Sequence, residues 1–216
     1  MEKIIWSKSK LGCMEQCPYK YKLHYVDKIK EAEVEAMTKG VKLHKIFDNY
    51  YDLKDITKAI QKENLDQDFM DKYGDHITHF MDFNSKYKLI PIVKETKYDL
   101  DNFTGIIDRV DIIDNEYAII DYKSSSGTSI ENYMKELLLY AHLIQEGKKI
   151  VIGKVGIFFT TNNKFIVESI TQSQIDFNLF EIKEEIKLYE EMINNKQFPK
   201  TYTNCHWCGY KEMCKK

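Results

Sequence analysis

Apolar positions along this chain recur with two different periods, and the points where the period changes mark its elements. From Gly40 they return every three or four residues, so that Val41, His44, Phe47 and Tyr51 share one face of a predicted helix. Residues 55–64 and 67–88 keep that period, with Phe69, Tyr73, Ile77, Phe80, Asn84 and Tyr87 as an inward stripe on the second. At Pro91 the period falls to two, and IPIVKETKYDL reads as a strand antiparallel to the one that follows. Thr104–Ser125 then reads as a hairpin, GIIDRVDII and YAIIDYKS around a polar turn at Asp114-Asn115-Glu116. After the link SSSGTS, Thr128-Ser129-Ile130-Glu131 predicts a capping box. It would open a helix that turns Ile130, Met134, Leu137, Leu138, Ala141 and Ile144 to the core. KIVIGKVGIFFTT and KFIVESIT, separated by Asn162-Asn163, are two more strand candidates. A long amphipathic helix follows from about Ser173 to Asn195, its seam being Ile175, Leu179, Ile182, Ile186, Tyr189 and Ile193. At the other end, residues 7–30 predict a short helix, a break at Cys17-Pro18 and a segment alternating aromatics with lysines.

Within the hairpin each aliphatic run is interrupted by an acid, Asp108 in the first strand and Asp121 in the second. A carboxylate among isoleucines and valines loses hydration, so it is expected to be paired or to coordinate a metal. Strand alternation puts Asp121 and Lys123 on one face and Tyr122 on the other, so Asp108, Asp121 and Lys123 converge at one end of a sheet. The plainer alternative makes them edge charges, with Lys123 neutralising Asp121. Glu95 on the preceding strand either supports this cluster or is solvated. His44 is either a satisfied core histidine or a ligand, since neutral imidazole joins carboxylates around Mn²⁺ or Mg²⁺. Glu136 and Tyr140, four apart, line a helix face that can look toward the same end of the hairpin. His76 and His79 carry no assigned chemistry.

Composition narrows the classes. With 216 residues, 43% hydrophobic, 31% charged, 9 Gly and 3 Pro, the chain is globular and long enough for one domain with a substantial core. That domain divides into a mainly helical part (1–90), a core (91–172) and a C-terminal helix with a tail (173–216). Thirty-two basic residues against 34 acids leave a net charge of -2, so any nucleic-acid contact must come from a local groove and from metal ions. Arg109 is the only arginine, which leaves phosphate contacts to lysines. In the N-terminal segment, Tyr19, Tyr21 and Tyr25 with Lys20, Lys22 and Lys28 read as half-buried packing under lysine stems, as a surface for single-stranded DNA, or as both. There is no apolar run of membrane-spanning length and no signal-peptide core, which places the chain in a reducing cytoplasm away from membranes. Five cysteines there are metal ligands sooner than disulfides.

Three of them form Cys205-x2-Cys208-x5-Cys214 at the end of the chain, which points to a metal-organised loop with a fourth ligand from Cys13 or Cys17. Zinc would be satisfied by Cys13, Cys17, Cys205 and Cys208, with Cys214 left free. A [4Fe-4S] cluster would take one N-terminal cysteine with the whole trio.

Gly105-x2-Asp108 followed by Asp121-x-Lys123 resembles the signature of the PD-(D/E)XK nuclease superfamily. The ordered set resembles more closely its RecB-like, iron-sulfur members: AddB-type nucleases, CRISPR-associated Cas-four exonucleases and exonuclease five. That set comprises Ser7-x-Ser9-x-Leu11, Cys17-Pro18, Gly40-x3-His44, the two acid motifs, a Q-x3-Y-like position and the cysteine trio. The resemblance implies an α+β fold with a restriction-endonuclease-like core, a central mixed sheet flanked by helices, plus a helical N-terminal insertion and an iron-sulfur staple in the tail. It implies a divalent ion on His44, Asp108, Asp121 and the Tyr122 carbonyl, with Lys123, Glu136 and Tyr140 completing the catalytic set. It also implies a [4Fe-4S] cluster on Cys17, Cys205, Cys208 and Cys214, with Cys13 an unexplained extra. The chain departs from the family at Glu136, where the pattern carries glutamine, and a negative charge there is unfavourable beside phosphate unless a cation intervenes.

The expected activity is metal-dependent hydrolysis of DNA, as a single-strand-specific exonuclease or an end-processing endonuclease. The alternatives are a catalytically weak DNA-binding adaptor that partners a helicase or a CRISPR integrase, and a zinc-binding structural protein.

Overall fold

The computed structural model, which describes residues 3–32, 35–202 and 205–214, joins the period-two segments into one mixed six-stranded sheet. A short β1 (Trp6–Ser7) lies parallel to the start of β3 (Phe103–Ile113). Strands β2 (Val93–Leu100), β3 and β4 (Glu116–Lys123) form an antiparallel meander. The tight turn between the last two has φ of 51° at Asp114 and 65° at Asn115, the left-handed pair that suits the twist of a hairpin. β4 then runs parallel to β5 (Ile152–Phe159), which pairs antiparallel with β6 (Lys164–Ser169). Parallel neighbours need a crossover, and the chain makes it through the helix Met134–Lys148.

Helices cover both faces. On one lie α1 (Lys8–Gln16), α6 (Met134–Lys148) and α7 (Gln172–Asn194), whose Leu11, Leu137, Ile144 and Ile182 join Ile107, Ile119 and Ile157 of the sheet. On the other lie α3 (Glu35–Leu53), α4 (Ile56–Lys62) and α5 (Gln67–Tyr87), where Phe47, Phe80 and Phe83 meet Ile120, Tyr122 and Phe158. Neighbours such as Ile119 and Ile120 therefore enter opposite cores. That is why the central strands read as continuous apolar runs. The short α2 (Pro18–Tyr21) and α8 (Lys211–Cys214) bracket the cysteine region. Among the described residues no helix is long and apolar enough to cross a membrane.

Three local expectations are corrected and one pair of alternatives is narrowed. No capping box opens at Thr128. Ser129 bonds Glu131 within a single 3₁₀ turn, Glu131–Tyr133, and α6 begins only at Met134. A full capping box stands instead at Thr171 and Gln174, the start of α7. On α5 the inward stripe ends in Phe83, 1% exposed, while Tyr87 is 38% exposed and the Asn84 amide donates to the Phe80 carbonyl. On α3, Val41 faces outward and Leu43 and Ile46 take the core. In the N-terminal segment Tyr21 is a core residue stacked on Trp6, so its ring is not offered to a base.

Two buried polar groups hold the helices to the sheet. Arg109, the lone arginine, is 1% exposed; its Nε donates to Asp111 Oδ2 at 2.6 Å and its Nη1 to the Tyr122 hydroxyl at 2.7 Å. These bonds make it a structural residue. His76 donates from Nδ1 to Thr160 Oγ1 at 2.7 Å, and Thr160 in turn donates to the Lys123 carbonyl. Burial, with Lys39 and His79 nearby, lowers the His76 pKa from 6.5 to about 4. Below pH 6.5 the unfolded chain takes up this proton and the folded one does not, so stability is lost as pH falls from there toward 4. Between pH 7 and 4.5 the native protein is expected to lose about 2–3 kcal/mol more than His76→Gln does. Urea melts across that range measure it, and parallel losses in both proteins would refute the assignment.

Candidate active site

The site forms where the meander forks. β2 occupies one edge of β3 from Phe103 to Val110, so β1 and β4 must share the other. β1 pairs with Phe103 and Thr104, while the β4 ladder runs only from Arg109↔Ile120 to Ile113↔Glu116. Between them residues 105–108 have no strand partner on that edge. Asp108 fills the opening with its side chain: Oδ2 accepts the Tyr122 backbone N–H at 2.8 Å. Strict alternation also breaks here, because Ile107 and Val110, three apart, enter the same core. Opposite, Glu95 has φ 38°, a left-handed conformation that costs energy in a strand.

His44 arrives from α3. Its Nδ1 lies 3.2 Å from Asp108 Oδ1 and 3.8 Å from Glu95 Oε1, and its Nε2 donates to the Tyr122 carbonyl at 3.0 Å. Burial disfavours the imidazolium, but the Asp108 charge and hydrogen bond, with Glu95 and Asp121, outweigh it and lift the pKa to about 10.

On the α6 side, Lys123 Nζ sits 2.6 Å from Asp121 Oδ2 and 3.4 Å from both Glu136 oxygens. A second lysine, Lys8 of α1, reaches Glu136 Oε1 at 2.6 Å. Tyr140 closes the group from one helical turn further along. It can do so because Gly105 has no side chain, a Cβ there falling 2.9 Å from Leu143 Cδ1 and 3.0 Å from Tyr140 Cε1. The result is an open cleft of about 350 Å³ lined by Lys8, His44, Asp108, Asp121, Lys123 and Glu136, with Tyr140 beside them.

Burial raises the Asp121 pKa, the Asp108 charge raises it further, and Lys123 opposes both. Burial works against the Lys123 ammonium, yet Asp121 and Glu136 hold its pKa above the usual value. Burial, then Glu136, Asp121 and Asp108, keep the Tyr140 phenol protonated.

These residues fit a divalent cation. Asp121 Oδ2 is buried and, although close to Lys123, has no directed hydrogen bond. Ligand atoms of His44, Glu95 and Asp108 lie within 4.8 Å of one another, with Asp121 outside that trio. Carboxylate oxygens with one imidazole and the Tyr122 carbonyl nearby are a donor set for Mg²⁺ or Mn²⁺. The acid excess around Asp121 is the charge such an ion offsets.

The cysteines gather elsewhere. Cys17, Cys205, Cys208 and Cys214 line a cavity of about 210 Å³ between α2 and the tail. Cys13 does not: it is buried in the main core, where burial pushes its thiol up to about 11. Burial also opposes the Cys17 thiolate, but backbone N–H groups of Thr201, Lys20 and Tyr19 directed at the sulfur bring its pKa below the usual value. The tail is latched independently of the sulfurs. The Tyr210 hydroxyl donates to the Ile29 carbonyl at 2.7 Å, and the Gly209 N–H donates to Glu31 at 3.1 Å.

Every residue expected at the site therefore lies in one of two clusters, the cleft or the cysteine cavity. Lys8 escaped the sequence reading, its only signal being its place between Ser7 and Ser9. The Arg109–Tyr122 bond behind the cleft escaped too, because each residue looked like part of a strand.

No curated protein matches the chain. Among solved structures, one named "Putative exonuclease", from Eubacterium rectale, superposes with a TM-score of 0.63 at 10% identity. It covers 94% of this chain and 86% of its own, and at that identity the likeness establishes the fold alone. Residues 5–215 match the family model of the PD-(D/E)XK nuclease superfamily, and the chain belongs to that superfamily.

Proposed function

We propose that the chain is a divalent-metal-dependent deoxyribonuclease of the RecB-like branch, acting on single strands or frayed ends in a reducing compartment. A [4Fe-4S] cluster would staple its tail to its N-terminal segment. The observation that carries this reading is the fork, which sets His44, Asp108, Asp121 and Lys123 around one cleft at the sheet's end.

His44, Asp108, Asp121 and the Tyr122 carbonyl would hold Mg²⁺ or Mn²⁺. When bound, the ion supplies relief of charge on the phosphate and activation of water at neutral pH. Lys123, kept cationic by Asp121 and Glu136, orients the water and meets charge that develops on the phosphate oxygens. Tyr140 stays a neutral donor at the cleft wall.

The cavity gathers Cys17 with Cys205, Cys208 and Cys214, the set a cluster would take, and leaves in the core Cys13, which the zinc alternative needs; this grouping supports the cluster. Joining Cys17 to Cys205 would close a loop around nearly the whole chain, so such a cluster stabilises the fold. Anaerobically purified protein is expected to be brown and to bleach in Cys208→Ser; a colourless sample containing zinc would overturn this part.

The activity is tested by offering Mg²⁺ or Mn²⁺ with end-labelled linear single-stranded DNA and, in parallel, with a circular single strand. Loss of the linear strand alone identifies end-directed cutting, and cutting of both identifies an endonuclease. Binding without cutting of either would convert the protein into a DNA-binding adaptor.

A further inference from the structure

Lys8 is a charged cleft residue whose position none of the assigned chemistry explains. It is half exposed, yet its ammonium is held 2.6 Å from a carboxylate that is only 9% exposed. Glu136 is already faced by Lys123, so this carboxylate carries two cations. Lys8 also lines a second groove of about 290 Å³, with Ser7, Ser9, Lys97, Thr104 and Ile106, and Tyr140 lines both. Lys8 and Tyr140 thus stand on the walls of both the groove and the cleft. The groove sets Ser7, Ser9, Thr104, Lys8 and Lys97, the last paired with Asp99, around a mainly apolar floor that includes Ile106, 54% exposed. Hydroxyls and ammoniums for a phosphate backbone beside an apolar platform for a sugar or base are the chemistry of a single-strand channel.

Resting on the nuclease reading above, we propose that a DNA strand leaves the cleft through this groove, and that Lys8 exchanges Glu136 for a backbone phosphate when the strand arrives. In the free protein the pairing with Lys8 offsets the charge that glutamate would otherwise present to DNA at position 136. In the complex Lys123 alone remains to neutralise Glu136. Glu136 therefore both parks Lys8 and competes with DNA for it.

The test is the affinity of a fluorescent single-stranded oligonucleotide, measured with Ca²⁺ in place of the catalytic ion so that binding is read without cleavage. Lys8→Gln is expected to weaken binding about tenfold and to reduce the slope of log affinity against log salt by about 0.7, the loss of one single-strand phosphate contact. Glu136→Gln frees Lys8 and is expected to tighten binding several-fold, and that gain vanishes in the Lys8→Gln background. Unchanged affinity and salt slope in Lys8→Gln, or a Glu136→Gln gain that persists without Lys8, overturns the groove while leaving the nuclease reading in place. Failure of the native protein itself to bind the strand overturns both. Thermal melts of each variant confirm that the fold is retained.

Discussion

Asp121→Ala is expected to lower DNA cleavage by about a thousandfold and to leave the protein at least as stable as before. The two effects separate because Asp121 serves the site at the expense of the fold. Its Oδ2 is buried without a directed hydrogen bond, and burial with the nearby Asp108 charge raises its pKa. Removing such a group relieves a local penalty. In the proposed site the same group would help hold the divalent ion, whose charge stabilisation is several kcal/mol, and about 4 kcal/mol corresponds to a thousandfold in rate. Lys123→Ala follows in activity, losing about a hundredfold or more through the missing cation at the phosphate. Single-turnover cleavage beside thermal melts in metal-free buffer decides the matter. Near-native rates in Asp121→Ala would show that the chemistry lies elsewhere.

The second large effect is on stability. Asp111→Ala leaves the Arg109 guanidinium, 1% exposed, without its carboxylate, and is expected to cost about 3–5 kcal/mol in urea unfolding. Replacing both partners, Arg109→Met with Asp111→Leu, is expected to recover most of that loss, since no buried charge remains. Cleavage by the doubly substituted protein should still fall short of native. Arg109 bonds the Tyr122 hydroxyl behind the cleft at the point where the β3–β4 ladder stops, and so fixes the strand that carries Asp121 and Lys123. A double variant with the single variant's instability would show that the loss comes from the pair's own bonds and not from an orphaned charge.

Much of this arrangement was legible in the sequence. Alternation in YAIIDYKS placed Asp121 and Lys123 together with Tyr122 opposite, and the 2.6 Å contact between Asp121 and Lys123 follows from that period. GIIDRVDII was less readable. The break at Asp108, which lets Ile107 and Val110 share a core, depends on a fork created by β1, a strand of only two residues a hundred positions away. Glu95 could be read as supporting the site or as solvated, because its approach to His44 depends on a left-handed residue inside a strand, which no local pattern signals. Lys8 was invisible for a similar reason: its partner Glu136 lies on a helix more than a hundred residues later. The capping box failed at Thr128 because Ile130, a buried residue, and not Thr128 stands at the cap, and a 3₁₀ turn follows it. The cysteine pattern left Cys13 and Cys17 open as partners of the trio, and only the core burial of Cys13 separates it from the four that share a cavity.

At the centre of the account stands one divalent ion in the forked cleft, and titration of the purified protein with Mn²⁺, followed by electron paramagnetic resonance of the free ion, tests it most directly. Saturable binding by the native protein, lost when Asp108 and Asp121 are both changed to asparagine in a variant that still melts cooperatively, is the predicted result. Absence of saturable binding, or binding that survives in that variant, would contradict it.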